Sequence, residues 1–508
     1  MKNKLTILLG SLFIFCAFIM NSCGRISNSG DGRTVLLPVN DDPTVSFRIW
    51  FKFGSQNDPK GKEGLAKLTA SILVSGSTQV NSYEALLDKL YPMASGYDAK
   101  VDKEMTVIIG RTHKDNLKDY TTLFTDAILK PAFKEEDFTR IKEEMLNYLE
   151  KELSYANDEE LGKAALYNYI FEGTPYGHLM EGTIESLKSI TLDDVKQFYK
   201  KYYTKDNFVI GLGGGYDDEF LWSLETELNK LPAGKTDEVA KPKYEKISGL
   251  NFLLVDKECD ATAISFGFPI DFTRSDEDFY AMSLFASWFG EHRNSSSHLY
   301  QVIREIRGMN YGDYAYIEVF LNGSQFQMPM PNNARRQQIF EVWLRPVPNS
   351  QRHFALRAAL RELKMVVDNG MTKEAFETTK NFLYKYALNF APTTSIRLGY
   401  QIDSRFYGVE DNGNYIDYFR NKINNLTLEQ VNKTLKKYIQ YDNIKFGIVT
   451  QDAVKFKEEL VNNTPSPIVY PTPKPQSVMD EDKIIGVFPL KISADKVKII
   501  KVADLFLK

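Results

Sequence analysis

Histidine and cysteine, the side chains that most often bind transition metals or form disulfides, are scarce in this chain of 508 residues. It contains five histidines and three cysteines. No two histidines stand two, three or four positions apart, so the spacing that places two ligands on one helix face is missing. The sequence therefore offers no metal site built on histidine pairs, and we interpret the histidines as structural. They are His113, His178, His292, His298 and His353.

Blocks of basic residues are also missing. The chain has 63 basic and 67 acidic residues, a formal net charge of −4. Because proteins that bind nucleic acid usually present a basic patch or stripe, we expect no nucleic acid partner.

The N-terminus has the pattern of an exported lipoprotein. Basic residues precede an apolar run over 5–20, and small or polar residues lead to Cys23. This order is typical of a secretory signal that ends at a lipidation site. The alternative is a transmembrane helix, for which the run is short. We predict that residues 1–22 are removed, that Cys23 is acylated, and that 23–35 form a tether. The protein would then be anchored in the bacterial cell envelope, facing the periplasm or the outside.

Two features of the chain that remains after removal of residues 1–22 limit its disulfides and its number of domains. Cys259 is the only cysteine besides Cys23, so acylation of Cys23 leaves no intramolecular disulfide. About 485 residues are too many for a single hydrophobic core, which predicts two to four domains.

An internal repeat indicates that two of these domains are copies. TLDDVKQFYKKY over 191–202 returns as TLEQVNKTLKKY over 427–438, an offset of 236 residues from Thr191 to Thr427. The same offset joins Asp206 to Asp442 in the segment that follows. A period of this length indicates a duplicated domain and not a solenoid. Both threonines are good N-cap residues for the helices they precede.

Hydrophobic periodicity predicts an α+β fold. Residues 45–53 and 105–109 are rich in β-branched and aromatic residues, which favours strands. Apolar residues at spacings of three and four predict helices over 116–129, 135–155, 192–201 and 218–231. Strands and helices are interspersed without strict alternation, which favours layered α+β domains.

Residues 61–78, GKEGLAKLTASILVSGST, resemble the inverted-zincin helix of the insulinase/pitrilysin (M16) metallopeptidases. The family frame is G-L-A-H-x-x-E-H-x-L-x-x-G-[ST]. On it, Lys67 and Ser71 stand at the two histidine positions and Ala70 at the glutamate position. Two histidines at i and i+4 bind one zinc, and the glutamate activates the bound water. The resemblance places the third zinc ligand at Asn147 or Tyr148, neither of which is a carboxylate. Zinc catalysis here would require another chain.

The resemblance extends from about residue 36 to 465. FEGTPYGH over 171–178 is similar to a stretch of the first M16 domain. The family fold implies two homologous domains, each a mostly antiparallel sheet with helices packed on one side. The predicted order is a signal peptide (1–22), a tether (23–35), a first M16-like domain without zinc ligands (36–232), a linker (233–249), a second M16-like domain (250–463), and a proline-rich linker with a tail (464–508).

The second domain keeps one functional motif of the family. SHLYQVIREIRGMNY over 297–311 resembles "s.Lfq.iRek.GL.Y", with Arg304 and Tyr311 at its arginine and tyrosine positions. The resemblance implies that these two side chains contact the substrate backbone and the oxyanion formed during peptide hydrolysis. The alternative is a solvated arginine and a half-buried tyrosine without a role in catalysis.

Two further patterns have simpler explanations. Lys67 and Ser71 are one helical turn apart, but the serine-first S-x-x-K order is absent, so a serine mechanism is not favoured. GLGGG over 211–215 lacks the G-x-G-x-x-G pattern and the Walker lysine of phosphate loops. We interpret it as a tight strand-to-helix turn.

These features predict the non-zinc subunit of a heterodimeric M16 peptidase, inert alone. Its partner would carry H-x-x-E-H and the zinc, while this chain would bind no cofactor and would contribute Arg304 and Tyr311. The expected substrates are unfolded peptides bound as an added strand at a sheet edge. The alternative is a catalytically inert structural or peptide-binding homologue. An active homodimer would need zinc ligands that the chain lacks.

Overall fold

The computed structural model describes residues 32–236, 238–320 and 324–508. The predicted signal peptide and the lipidation site at Cys23 lie outside these ranges. Within them, no helix combines the length and the hydropathy that crossing a bilayer requires.

The first half of the chain builds a five-stranded sheet. Its strands are β1 (Thr34–Pro38), β2 (Thr44–Phe51), β3 (Gly96–Val101), β4 (Thr106–His113) and β5 (Phe208–Gly214). Their order is β1-β5-β2-β4-β3, and only the β1–β5 pair is parallel. The helices are α1 (Leu65–Ser75), α2 (Tyr83–Leu90), α3 (Leu117–Leu129), α4 (Glu135–Asn147), α5 (Asp158–Ile170), α6 (Ile184–Ser189), α7 (Leu192–Tyr202) and α8 (Asp218–Leu228). A π-helical segment, Tyr148–Ala156, continues α4.

The second half repeats this plan with one additional strand. Its strands are β6 (Leu250–Asp256), β7 (Ala261–Ile270), β8 (Asp313–Tyr316), β9 (Gln338–Pro348), β10 (Ile444–Thr450) and β11 (Val497–Lys501). Their order is β11-β6-β10-β7-β9-β8. The helices are α9 (Glu277–Gly290), α10 (Arg352–Asn369), α11 (Lys373–Tyr386), α12 (Thr394–Tyr407), α13 (Tyr415–Asn425), α14 (Leu428–Tyr438), α15 (Ala453–Val461) and α16 (Gln476–Ile485).

Strand pairing confirms the α+β fold and the duplication. β10 pairs with β6 in parallel and with β7 antiparallel, as β5 pairs with β1 and β2. Ile210 in β5 and Phe446 in β10 occupy equivalent positions, 236 residues apart. The repeated helices α7 and α14 begin at Thr191 and Thr427, whose hydroxyls complete the capping boxes. The first strand of each half begins at Thr34 (β1) and Leu250 (β6). The exact boundaries of the two domains stay predictions.

Each sheet packs one face on helices of its own half and the other face on a helix of the opposite half. α5, from the first half, lies across β7 and β10 of the second sheet. α12, from the second half, lies across β1, β2 and β5 of the first sheet, where Leu398 and Ile402 join a cluster with Trp50 and Val209. The two halves therefore exchange a helix and complete each other's interior.

Glycines in the central strands allow these helices to approach, which corrects the prediction for 211–215. Gly211 and Gly213 lie inside β5, not in a turn, and face α12. In the second sheet, a methyl group added to Gly447 would lie 2.6 Å from the backbone oxygen of Gly162 in α5. Only a residue without a side chain fits at such a contact.

The tail left unassigned by the sequence belongs to the fold. β11 adds in parallel to β6 and so covers that edge of the second sheet. Beyond it, the backbone carbonyls of Phe506 and Leu507 accept hydrogen bonds from the N–H groups of Ile184 and Glu185, each at 2.9 Å. The tail thus ties the second sheet to the first half.

Candidate functional site

Helix α1, where the zinc ligands would stand, is well formed without them. Gly64 precedes it and has no side chain to cap it, but both carboxylate oxygens of Asp58 do this instead. They accept from the N–H groups of Gly64 at 2.8 Å and Ala66 at 2.7 Å. Burial raises the pKa of Asp58 to about 8. Lys67 lines a cavity, Ala70 is fully buried, and Ser71 is half-buried.

The side chains at the zinc positions do not fit a zinc ion. Of the two candidates for the third ligand position, Tyr148 faces the same cavity as Lys67. Burial raises the pKa of Tyr148, which keeps its phenol protonated. An ammonium, a methyl, a hydroxyl and a neutral phenol do not make a zinc donor set. Among the described residues, no three His, Cys, Asp or Glu side chains form a group that could hold a metal ion.

The cavity has a volume of about 460 Å³ and lies between the two halves. One wall is β3 with the turn that follows it, residues 98–103. Among the described strands, β4 is the sole partner of β3. The Asp102 N–H donates to Met105 O at 2.8 Å, and alternation from this pair turns the backbone groups of Ala99 and Val101 away from β4. One of these outward groups, the Ala99 N–H, donates to its neighbour Asp98 at 2.7 Å. The edge of β3 is therefore free of a strand and borders the cavity.

The second wall of the cavity includes His178 of the FEGTPYGH motif. The contacts of this motif show its role in the fold. The Tyr176 hydroxyl donates to the buried carboxylate of Glu104, and the ammonium of Lys103 donates to the backbone carbonyl of His178. Burial, reinforced by the charge of Lys103, lowers the pKa of His178 to about 3. Burial, reinforced by the charge of Arg335, lowers the pKa of Lys103 to about 7. The motif holds the β3–β4 turn in place.

The roof of the cavity comes from the described parts, 317–320 and 324–337, of the long connection between β8 and β9. The equivalent connection in the first half spans only 102–105. Arg335 reaches into the first half and forms a buried ion pair with Asp102, with Nη2 to Oδ2 at 2.8 Å. Arg336 pairs with Glu104 at 2.5 Å. These contacts fasten the second half over the β3 edge.

The same connection accepts hydrogen bonds from the first half. Lys100 of β3 donates to the carbonyl of Pro331 at 2.8 Å, and burial lowers the pKa of Lys100 to about 8. Arg48 of β2 donates to the side-chain oxygen of Asn332.

Buried charged side chains from α5 and β9 also line the cavity. Lys163 of α5 pairs with Glu160 at 2.5 Å, and its ammonium lies over the rings of Trp343 (4.4 Å) and Phe320 (5.0 Å). Glu341 of β9 is 5% exposed, and burial raises its pKa to about 8. Sequence reasoning missed this group, because its members come from both copies of the duplicated domain.

The equivalent edge in the second half is sealed. By strand register, Ala315 of β8 corresponds to Ala99 of β3. A methyl group added to Gly290 would lie 2.5 Å from the Ala315 nitrogen, so α9 packs directly on this backbone. The Ala315 carbonyl accepts from the side chain of Gln327 at 2.8 Å.

Arg304 and Tyr311 do not line this cavity in the described part of the chain. Arg304 lies in the π-helical segment Tyr300–Glu305, with a side chain 35% exposed and 3.8 Å from Glu305. Tyr311 is 76% exposed. Gly308 between them has a φ of +69°, in keeping with the predicted end of the helix. Their roles stay predictions.

Comparison with known proteins gives two family matches. Residues 34–183 match the insulinase family (peptidase family M16), and residues 189–383 match the M16 inactive domain. A Helicobacter pylori protein described as a non-peptidase homolog, YmxG, is 24% identical over 416 residues, which cover 80% of this chain and 89% of the relative.

Solved structures show the same fold. The crystal structure of a peptidase M16 inactive domain from Pseudomonas fluorescens superposes with a TM-score of 0.71 at 21% identity, covering 82% of this chain and 95% of that one. A protease from Helicobacter pylori gives a TM-score of 0.68 at 14% identity, covering 82% and 96%.

Proposed function

Because the chain belongs to the M16 peptidase family and is an inactive-type homologue within it, we propose that it is the non-catalytic subunit of a two-chain peptidase. In this proposal it binds an extended peptide along β3, and a second M16 chain with an H-x-x-E-H motif supplies the zinc. The lipid anchor at Cys23 would hold the complex at the cell envelope.

One observation carries this proposal: the free edge of β3 borders a cavity beside α1. An extended peptide can add to such an edge through backbone hydrogen bonds, a mode that depends little on side-chain identity. The outward N–H and C=O groups at Ala99 and Val101 supply the pairing groups. The Asp98 carboxylate, which holds the Ala99 N–H, would have to rotate away when a peptide binds.

The positions of Arg304 and Tyr311 support a role toward a partner. Tyr311 is exposed and Arg304 is partly exposed, and neither is among the residues that line the cavity beside α1. A guanidinium and a phenol hydroxyl held near another chain's zinc site could stabilise the negative charge that develops on the peptide carbonyl.

Purification of the native complex and assay of its peptidase activity test the proposal. The native envelope complex is purified through this chain, and peptide cleavage is measured with and without the chelator 1,10-phenanthroline. We expect a second M16 chain in stoichiometric amount, chelator-sensitive cleavage by the complex, and none by this chain alone. Arg304→Ala should lower kcat/KM at least tenfold, which corresponds to about 1.4 kcal/mol. The exposed Arg397→Ala is the matched control and should change it less than twofold.

Two outcomes would contradict the proposal in different ways. Chelator-sensitive cleavage by the purified single chain would show that it is an enzyme in its own right. Full activity of the Arg304→Ala complex would favour the alternative, an inert structural or peptide-binding homologue, which the tight fastening of the two halves by Arg335 and Asp102 also suits.

A further inference from the structure

The segment Tyr300–Glu305, which carries Arg304, is π-helical. A π-helix is a rare conformation that occurs mostly as a single turn, frequently at functional sites. The side chain of Arg304 has few contacts of its own. Its Nε is buried without a hydrogen-bond partner in the described part of the chain, and its ion pair with Glu305 is 3.8 Å long. The position of the guanidinium therefore depends on the backbone of the segment and on the groups that hold this backbone.

Arg307, three residues after Arg304, provides this support. Its side chain is fully buried. Nη1 donates to the carbonyl of Val302 at 2.7 Å, inside the π-helical segment. Nε donates to Asp482 at 2.8 Å and Nη2 donates to Glu481 at 2.7 Å, and both acids belong to α16. One guanidinium thus joins the segment to a helix of the tail. The family motif leaves this position unspecified, so the resemblance gave no sign of the contact.

Helix α16 is itself fixed to the second half. The Tyr470 hydroxyl donates to the other carboxylate oxygen of Asp482 at 2.7 Å. Glu481 accepts from Arg361 of α10 at 3.0 Å, and Ile485 lies in the hydrophobic core. The two carboxylates are therefore held in position by their own helix and its neighbours.

The same network reaches the start of the motif. Arg361 also pairs with Glu362 at 2.9 Å, and Oε2 of Glu362 lies 2.7 Å from Nε2 of His298. His298 stacks on Trp288 of α9, with ring centroids 4.7 Å apart. The π-helical segment is thus supported at both ends, while Arg304 stays partly exposed between them.

We propose that Asp482 and Glu481, acting through Arg307, are positioning residues for Arg304. The inference rests on the proposed function, because the position of Arg304 matters to catalysis only if this side chain acts at the zinc site of a partner. In that role the guanidinium stabilises charge that develops in the transition state. A displacement of the segment therefore lowers kcat and changes KM little. The tail of the chain contributes to catalysis without touching the substrate.

Asp482→Ala in the native complex tests the inference. The variant chain is isolated with its partner, peptide cleavage is measured, and kcat is expressed per intact complex from the zinc content. We expect kcat to fall at least about fivefold and KM to change less than about twofold. Asp480→Ala removes an exposed acid of the same helix that pairs with Lys483, and serves as the matched control. It should change kcat less than about twofold.

A double variant separates positioning from a general loss of structure. In the Arg304→Ala background, Asp482→Ala should change kcat less than about twofold, because the side chain that it positions is already gone. An equal loss of kcat in both backgrounds would indicate a general structural role and overturn the inference. An unchanged kcat in the Asp482→Ala single variant would overturn it too. If Arg304→Ala itself leaves the activity unchanged, the proposed function fails, so the two failures are distinguishable.

Two measurements on the purified single chain control for folding. Hydrogen–deuterium exchange over 300–311 should rise in Asp482→Ala and stay unchanged in Asp480→Ala. An unchanged exchange in Asp482→Ala would contradict the inference. The affinity for a fluorescein-labelled peptide of alanine, threonine and serine, measured by fluorescence anisotropy, should stay the same, because the edge of β3 has no part in this network.

An isosteric variant covers the case in which Asp482→Ala does not fold. Asp482→Asn keeps the shape of the side chain and weakens the charge-assisted hydrogen bond from Arg307. It replaces the alanine variant in both backgrounds. We expect a loss of kcat of at least about twofold where Arg304 is present and none where it is absent. The same loss in both backgrounds, or none in either, would overturn the inference.

Discussion

The two halves share a plan but differ at the edge strand. Ala99 of β3 borders an open cavity, whereas Ala315 at the same register of β8 is covered by α9 and by the side chain of Gln327. Apart from the additional β11, the strands and their order are the same, so the difference lies in what surrounds the edge strands. After a duplication, one edge can stay open to a ligand while the other becomes part of the interior.

The connection after each edge strand accounts for this difference. In the first half, residues 102–105 turn directly into β4. In the second half the connection is longer. Its residue Gln327 closes the edge of β8, and its residues Arg335 and Arg336 reach the first half, where they close the roof. A single long connection therefore seals one copy and encloses the other.

Removing the roof contact should have the largest effect. Arg335→Met leaves Asp102 buried and unpaired, which should lower the free energy of unfolding by about 3–5 kcal/mol. Urea unfolding followed by the fluorescence of the four tryptophans measures this. Arg336→Met, whose ion pair is more exposed, should cost about 1 kcal/mol.

The double variant Asp102→Asn with Arg335→Met separates lost pairing from lost packing. It should recover much of the stability, because neither charge remains to be desolvated. If Arg335→Met were as stable as the unmodified chain, the connection would not fasten the two halves.

Adding a methyl group to the glycines where α5 and α12 cross the sheets should lower the free energy of unfolding by an intermediate amount. The loss should differ between the two crossings. In Gly447→Ala the added methyl meets backbone atoms of Gly162 and Leu166, which cannot yield, so we expect a loss of about 2–3 kcal/mol in unfolding free energy. In Gly211→Ala it meets chiefly the end of the Ile402 side chain, which can rotate, so we expect about 1 kcal/mol. Thermal and urea unfolding measure both. Equal losses would show that the two crossings are packed alike.

Blocking the open edge should have the smallest effect, and on binding alone. Ala99→Pro removes an outward N–H and adds a ring at the edge, a substitution that edge strands tolerate. We expect peptide affinity to fall about tenfold, or roughly 1.4 kcal/mol, with folding little changed. Gln327→Ala is the counterpart in the second half. Because α9 still covers β8, binding should keep a stoichiometry of one peptide per chain, and a second bound peptide would contradict the sealed edge.

The local sequence pattern and the family frame predicted the fold and many of its helices and strands. The offset from Thr191 to Thr427 predicted two equivalent capped helices, and both formed. The frame placed Lys67 at one ligand position and either Asn147 or Tyr148 at another, and of these Lys67 and Tyr148 line one cavity. These predictions depend on contacts within one helix or one copy, which periodicity and spacing record.

Contacts between the copies could not be predicted in this way. The pairing of Arg335 with Asp102, and the meeting of Lys163 with Glu341, join residues distant in sequence. The prediction for 211–215 was wrong for the same reason, since its glycines accommodate a helix from the other half. The unequal length of the two edge-strand connections was the one available signal of the roof.

The exchanged helices set an order of events during synthesis. The strands of the first sheet are complete at Gly214, but α12, which covers their second face, begins at Thr394, 180 residues later. At about 5–20 residues per second, that face stays bare for on the order of ten seconds. A nascent chain of this kind spends that interval with an aromatic and aliphatic surface around Trp50 and Val209 open to any neighbour.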